Sequence, residues 1–145
     1  MQEQYYEELG MTEKELLEKY PFTTLKNIWS LELVEGNWYG LIPTGWRKAF
    51  GKELLEEMTA EYDTFSTEYR HYWVVEEIKE KYGELRIYTG PTTNNMLEII
   101  DKYTKLSRHH CIECGEPCKQ RNVGWIFTMC DKCFDELQNR TKRKK

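Results

Sequence analysis

The chain has 145 residues and a formal net charge of −4, with 39% hydrophobic, 14% aromatic and 32% charged residues. This length allows one domain with a buried core, and the mixture of apolar and charged residues excludes a disordered chain. No run approaches the roughly 18 apolar residues of a membrane span, and the first ten residues lack the pattern of a secretory signal. We therefore expect a cytoplasmic protein.

The charge is divided unevenly along the chain. Residues 1–100 hold 10 Lys/Arg and 19 Asp/Glu, a balance of −9, whereas residues 101–145 hold 11 and 6, a balance of +5. An acidic body with a basic end is poorly suited to coating a nucleic acid over its whole surface. It suits a partner that is itself basic, or one with patches of both signs. The alternative is that the acidic residues form solvated helix faces and that the basic tail is a disordered end.

The first predicted helix begins at Thr12, which can form a capping box with Glu15, and Pro21 ends it. Residues 24–34 are rich enough in Ile, Trp, Leu and Val to predict a strand. Neither the helix nor the strand contains a recognisable catalytic motif.

A second helix is predicted over about 46–62. Its apolar residues recur every four positions, as expected for a buried stripe, at Trp46, Phe50, Leu54 and Met58. The opposite face carries the glutamates Glu53, Glu56 and Glu57. We interpret the stripe as core and the glutamates as a candidate contact face for a partner.

Residues 72–89 predict a β-hairpin that turns at Lys81-Tyr82-Gly83. The alternation breaks near Glu76 and Glu77, which leaves room for a bulge. As acidic residues on the hairpin, these two glutamates are a second candidate contact face. An amphipathic helix is then predicted over about 92–108, and it leads into a cysteine cluster without a linker.

The cluster has the spacing C-x2-C-x15-C-x2-C, formed by Cys111, Cys114, Cys130 and Cys133. This spacing is typical of a zinc site, in which two tight turns bring four thiolates around one ion. Reduced cytoplasmic thiols argue against disulfides. Because four thiolates leave no position for water or substrate, we predict one structural Zn²⁺ per chain.

The neighbours of the cluster complete a zinc module. Gly115 permits the positive φ that such a knuckle needs, residues 123–128 predict a strand, and residues 131–140 predict a last helix beginning around Cys130 and Cys133. Cys118 lacks knuckle spacing and is predicted to be a spare thiol. His109 and His110 either finish the preceding helix or substitute as ligands, and the first alternative is favoured.

Together these patterns predict an α+β fold of mixed helices and a β-hairpin or small antiparallel sheet, with a C-terminal four-cysteine zinc module of treble-clef or ribbon-like type. Residues 1–108 form the acidic body, 109–140 the zinc module packed on it, and 141–145 the basic tail.

No pattern indicates an enzyme. The chain lacks the H-x-E and P-C-x-x-C pair of zinc deaminases, phosphate loops and nucleophile elbows, and no His lies between the cysteine pairs. The best remaining acid/base group is Glu76-Glu77 near His71, which an exposed hairpin edge explains equally well. We therefore expect no catalysis.

The stretch from Lys79 to Tyr88 resembles the I-K-E-K-[FY]-G-x-L-R-[FI]-Y segment of small phage and prophage zinc-binding proteins. In those proteins a helix and a C-x2-C-G…G-W…C-D-x-C segment follow, as they do here, and the resemblance covers residues 73–135. The chain is also similar in size, acidity and zinc content to a zinc-containing family of type II-A anti-CRISPR proteins, which inhibit Cas9. That resemblance implies a phage-encoded protein acting in a host bacterial cytoplasm, with Cas9 as a protein partner.

Two functions follow as expectations. The first is a non-catalytic inhibitor that binds a host nucleic-acid enzyme, with Cas9 as the best guess and Glu53, Glu56, Glu57, Glu76 and Glu77 as candidate contacts. The alternative is a zinc-ribbon protein that binds nucleic acid or acts in transcription, using Arg121, Trp125 and Phe127 beside the basic end.

Overall fold

The computed structural model describes residues 4–143, with side chains described as far as Arg140. Its helices are α1 (Glu13–Lys19), α2 (Thr44–Trp46), α3 (Lys52–Tyr62), α4 (Thr67–Tyr72), α5 (Asn94–Ser107) and α6 (Asp131–Arg143). Its strands are β1 (Tyr5–Tyr6), β2 (Met11–Thr12), β3 (Thr24–Lys26), β4 (Leu33–Asn37), β5 (Val75–Lys81), β6 (Glu84–Thr89), β7 (Gln120–Asn122) and β8 (Ile126–Thr128). The predicted α+β class is confirmed: the described strands form four separate two-stranded antiparallel pairs among the helices.

The start of α1 is capped as predicted. Thr12 accepts from the N–H of Glu15 at 3.2 Å, and the Glu15 carboxylate accepts from the N–H of Thr12 at 3.0 Å. The helix ends at Lys19, and Pro21 opens a short 3₁₀ turn. Both features follow from local chemistry, because a capping box and a proline act on their immediate neighbours.

The single strand predicted over 24–34 is wrong. β3 ends at Lys26, the chain turns through residues 27–32, and β4 runs back from Leu33. The turn is fixed by Asn27, whose side-chain oxygen accepts from the N–H groups of Trp29 and Ser30 at 2.8 and 3.0 Å. The Asn-x-x-Ser turn chemistry therefore outweighs the β propensity of the apolar residues around it.

The predicted helix over 46–62 is confirmed as part of a longer helical stretch. α2 continues through a segment of π geometry, Arg47–Gly51, into α3. All four residues of the predicted stripe are buried, with exposures of 0–4%. They face α5, whose own predicted stripe is buried at Met96, Ile100 and Tyr103.

The β5–β6 hairpin has the predicted turn and the predicted irregularity. Tyr82 and Gly83 both have positive φ, at 54° and 79°, as a tight two-residue hairpin turn requires. The register shifts between Val75 and Glu77, where the sequence left room for a bulge. Leu85 and Ile87 of β6 pack into the core, so the hairpin covers α5.

An aromatic cluster fills the other end of the core. Phe22, Tyr62 and Trp73 contact one another with ring centroids 5.0–6.2 Å apart, and Trp38 and Phe65 extend the group. The cluster is closed by α4, which the sequence patterns did not predict. Among the helices of the described residues, none has both the length and the apolar character needed to cross a membrane.

Candidate metal centre

The four cysteines converge from two separate segments. Cys111 and Cys114 lie in the turn that follows α5, whereas Cys130 and Cys133 flank the start of α6. Their sulfur atoms all lie within 4.8 Å of one another. The hairpin β7–β8 separates the two pairs, so the order knuckle, hairpin, helix is the one expected of a treble-clef module.

The sulfur geometry fits a tetrahedral ion. Four sulfurs at about 2.3 Å from a zinc ion lie roughly 3.8 Å apart along the edges of the tetrahedron. The Sγ atoms of Cys114 and Cys130, one from each pair, are 3.7 Å apart. The residues present therefore fit a tetrahedral metal with sulfur ligands, and Cys111, Cys114, Cys130 and Cys133 would hold it.

The site provides N–H groups that stabilise thiolates. Burial acts to raise the pKa of Cys111, but backbone N–H groups of Cys130, Cys114 and Glu113 outweigh it and lower that pKa to about 7. Burial, and hydrogen bonds that the Cys133 thiol donates to the other cysteine sulfurs, raise the pKa of Cys133. Four sulfurs this close cannot all ionise by themselves, so a cation is needed for the full thiolate set.

Cys118, His109 and His110 do not belong to the four-sulfur group. Cys118 is outside the four-sulfur group, and its N–H donates to the carbonyl of His109 at 2.9 Å. The Nδ1 atom of His110 lies 2.9 Å from the carbonyl oxygen of Gly115. His109 and His110 continue the backbone hydrogen bonding of the helix end, donating to Leu106 and Ser107.

The module is joined to the body by backbone and side-chain hydrogen bonds. The N–H of Gly45 donates to the carbonyl of Ile112 at 2.8 Å, and the indole N–H of Trp46 donates to the carbonyl of His110 at 2.9 Å. On the other side, the Thr128 hydroxyl donates to the carbonyl of Gly83 at 2.6 Å. The helix start and the β5–β6 turn thus hold the module from two sides.

The predicted contact glutamates occupy different environments. Glu53 and Glu56 on α3 and Glu76 on β5 are exposed, and Glu77 is exposed but pairs with Lys79 at 3.2 Å. Glu57 is half-buried, and its carboxylate accepts from the Tyr103 hydroxyl and from Lys102. The α3 group and the β5 group are thus two surface regions, and Glu57 also joins α3 to α5.

Of the residues expected to bind nucleic acid, Trp125 is exposed but Arg121 is paired within the module. Trp125 is 69% exposed, but the Arg121 side chain donates to the Met129 carbonyl at 2.7 Å and pairs with the Asp131 carboxylate. Its guanidinium also lies 4.5 Å from the centre of the Phe134 ring. Arg121 therefore serves the module's own structure.

One surface feature was missed by sequence reasoning. Trp29, placed in a strand by its β propensity, lies at the tip of the β3–β4 turn and is 88% exposed. The signal that could have found it is Asn27 followed by Ser30, because Asn and Ser favour turns.

The chain was compared with known protein families, curated proteins and solved structures, and none of them matches it.

Proposed function

We propose that this chain is a non-catalytic, zinc-stabilised inhibitor that binds a basic, nucleic-acid-handling protein of a bacterial host, with Cas9 as the first partner to test. Zinc is the metal that the chemistry favours, because four thiolates in a tetrahedron are its usual structural ligand set. A site closed by four protein ligands stabilises the fold and leaves the rest of the surface to carry function.

The observation that carries the proposal is the exposure of Trp29. Tryptophan is the residue type most enriched among binding hot spots, and an indole that is 88% exposed has its apolar surface in water. Ile28, Leu33 and Val34 are exposed beside it on the same turn and strand. This group, which we call the hairpin tip, offers a partner a compact apolar anchor.

The hairpin tip is ordered before binding. Besides the Asn27 side-chain bonds, the backbone N–H of Asn27 donates to Glu32 at 2.9 Å, and Leu31 donates back to Asn27 at 2.8 Å. Leu31 has φ of 63°, a conformation that is costly for a leucine. A turn held in this way loses little entropy when it docks, which favours affinity.

Acidic residues define the partner's charge. Glu32 and Glu35 are exposed around the hairpin tip, and the first 100 residues carry a net −9. An acidic surface around an apolar anchor is attracted to proteins whose surface is basic because they hold RNA or DNA. Glu53, Glu56, Glu76 and Glu77 add to this attraction without touching the anchor.

The test is direct binding to purified type II-A Cas9, with and without guide RNA, by biolayer interferometry of the zinc-loaded full chain. We expect capture of Cas9 and loss of its DNA cleavage. Trp29→Ala should weaken binding at least about tenfold, as for a hot-spot residue, whereas the matched control Tyr72→Ala should not. Tyr72 is also an exposed aromatic residue, on α4.

Absence of binding to Cas9 in both forms would overturn Cas9 as the partner. Binding that is unchanged in Trp29→Ala would overturn the hairpin tip as the anchor. Reversing Glu53, Glu56, Glu76 and Glu77 to lysine should slow association at low salt, and an unchanged association rate would remove these glutamates from the interface.

A further inference from the structure

A second apolar surface lies on the metal module. It is a groove of about 590 Å³ between the β7–β8 hairpin and α6, which we call the module groove. Val123, Trp125 and Phe127 line it from the hairpin side, and Phe134, Leu137 and Gln138 line it from α6. Ile112 and Met129 complete its apolar lining, and Glu80 and Glu113 are its charged residues.

The apolar residues of the groove are accessible. Trp125 is 69% exposed, Val123 52% and Leu137 38%. The rings of Phe127 and Phe134 stand 5.7 Å apart and are only partly buried, and Trp125 lies 6.1 Å from Phe127. Such a continuous apolar surface on a module of about thirty residues is typical of an interaction site.

The charged residues of the groove favour a basic occupant. Both charged residues in its lining are glutamates, and no lysine or arginine lines it within the described residues. Arg121, the nearest basic side chain on the hairpin, is paired with Asp131. A divalent ion held by four thiolates adds two net negative charges to the module.

We propose that the module groove binds an amphipathic helical segment of a protein partner, with apolar residues on one face and lysine or arginine at its edges. An apolar trough beside acidic side chains is the arrangement that receives such a helix. A small molecule would need several convergent polar groups, and the groove offers only Gln138 and two glutamates. The Glu80 carboxylate, moreover, already accepts from the N–H of Gly83 at 2.7 Å.

Nucleic acid fits this groove poorly. Stacking on Trp125 would bring phosphates near Glu80, Glu113 and the negatively charged metal centre, with no cation in the described lining to offset them.

This inference rests on the proposed function only in that both describe a chain that binds a protein. It uses a surface other than the hairpin tip, so each can fail without the other.

The probe is a synthetic helical peptide of about 18 residues composed of leucine and lysine at helical spacing. Binding to the zinc-loaded full chain is followed by calorimetry. We expect micromolar affinity that falls at least about tenfold in Trp125→Ala and in Leu137→Glu. Trp29→Ala, at the hairpin tip, is the matched control and should leave peptide affinity unchanged.

Two comparison peptides test the geometry and the charge. A peptide of the same composition with strictly alternating residues loses the helical apolar face, and a leucine/glutamate helix reverses the charge. Both should bind at least about tenfold more weakly than the leucine/lysine helix. Equal binding by either peptide would overturn the proposal.

Three further outcomes would also overturn it. One is peptide affinity that is unchanged in both Trp125→Ala and Leu137→Glu, when both variants keep bound zinc and the wild-type melting temperature. Another is self-association through Trp125 in analytical ultracentrifugation, which would make a second copy of this chain the occupant. The third is tighter binding of oligo-dT than of the peptide, with the same loss in Trp125→Ala.

Discussion

Gly45 lies directly against the backbone of Cys111. A Cβ atom on Gly45 would stand 2.1 Å from the Cys111 carbonyl oxygen and 2.5 Å from the Ile112 carbonyl. On the facing loop, a Cβ on Gly115 would stand 2.6 Å from the Gly45 carbonyl oxygen. The start of α2 and the first metal-binding turn thus meet through their backbones, with no side chain between them.

Gly45→Ala should therefore destabilise the protein. In an open helix this change would stabilise by up to about 1 kcal/mol, because alanine favours helix more than glycine does. Here the methyl group must push two backbone segments apart, and we expect a loss of about 1–3 kcal/mol in the free energy of unfolding. Urea denaturation of the zinc-loaded protein measures this.

The control for Gly45→Ala is Thr44→Ala, which changes an exposed neighbour in the same helical turn. It removes one exposed hydrogen bond, accepted from Arg47 at 3.0 Å, and should cost about 0.5 kcal/mol. If Gly45→Ala is as stable as the wild type, the contact between α2 and the metal-binding turn is looser than the structure has it.

Removal of the metal should unfold the C-terminal third of the chain. Structural zinc sites contribute apparent free energies of roughly 10–16 kcal/mol, more than the stability of a typical domain. We expect Cys130→Ser to lose bound zinc and the cooperative melting of β7, β8 and α6. Metal content by mass spectrometry and amide hydrogen exchange check the two effects.

Cys118→Ser is the matched control for metal removal, since Cys118 lies outside the four-sulfur group. It should retain one zinc per chain and the exchange protection of the wild type. A Cys130→Ser protein that lost zinc but kept its protection would show that the hairpin and α6 fold without the ion.

Cys118 should react slowly with alkylating reagents. Burial, followed by the negative charge of the cysteine cluster, raises the pKa of its thiol to about 11. Since the thiolate is the reactive form, its alkylation rate should rise about tenfold per pH unit from pH 7 to 9.5 without levelling off. An exposed cysteine, with a pKa near 8.5, would level off within this range.

The alkylation of Cys118 is measured by mass spectrometry of the zinc-loaded protein treated with iodoacetamide. Zinc-bound cysteines act as an internal comparison and should stay unmodified until a chelator is added. A rate that levels off near pH 8.5 would mean that the Cys118 side chain is solvated.

The predictable parts of this fold are those set by local chemistry. The spacing of the four cysteines, the Thr12–Glu15 capping box and the stripes of α3 and α5 depend on residues a few positions apart. The separation of β3 from β4 also has a local signal, Asn27 with Ser30, but the β propensity of the apolar residues around it favoured a single strand. The position of the short helix α4 depends on tertiary contacts. Lys26, for example, donates to three carbonyls at the end of α4, at 2.8–3.0 Å, across more than forty residues.

The same distinction applies to the candidate sites. Candidate metal ligands are identified by residue type and spacing, so sequence alone was enough to select the four cysteines that the structure brings together. Exposure of Trp29 and Trp125 depends on which side of each hairpin faces the core, and alternation in strands this short does not determine that. Both proposed surfaces were therefore identified from the three-dimensional arrangement, although Asn27 and Ser30 mark the turn that carries Trp29.

Tyr103→Phe should reveal a pH-dependent link between α3 and α5. The buried Tyr103 hydroxyl donates to the Glu57 carboxylate, and this bond is the main cause that lowers the pKa of Glu57. Burial, together with the same bond, raises the pKa of Tyr103. The two pKa shifts are consistent, since both follow from a neutral phenol that donates to an ionised carboxylate.

The sign of the effect follows from the lowered pKa of Glu57. Its contribution to stability is complete above the unfolded-state pKa of about 4.3 and is lost as the pH falls through the lower folded-state value. At pH 7 we expect Tyr103→Phe to cost about 1 kcal/mol. That is below the usual range for a charge-assisted bond, because the Glu57 side chain is 37% exposed.

Urea denaturation of the wild type and of Tyr103→Phe at pH 7, 5 and 3.5 measures the difference in unfolding free energy. We expect that difference to be constant between pH 7 and 5 and smaller at pH 3.5, which lies below the unfolded-state pKa of a glutamate. Lys102→Met, which removes the exposed partner of Glu57 at 2.9 Å, should cost less than about 0.5 kcal/mol. If the difference in unfolding free energy between the wild type and Tyr103→Phe grows as the pH falls, the hydroxyl stabilises the protonated carboxyl. The bond would then raise the pKa of Glu57 instead of lowering it.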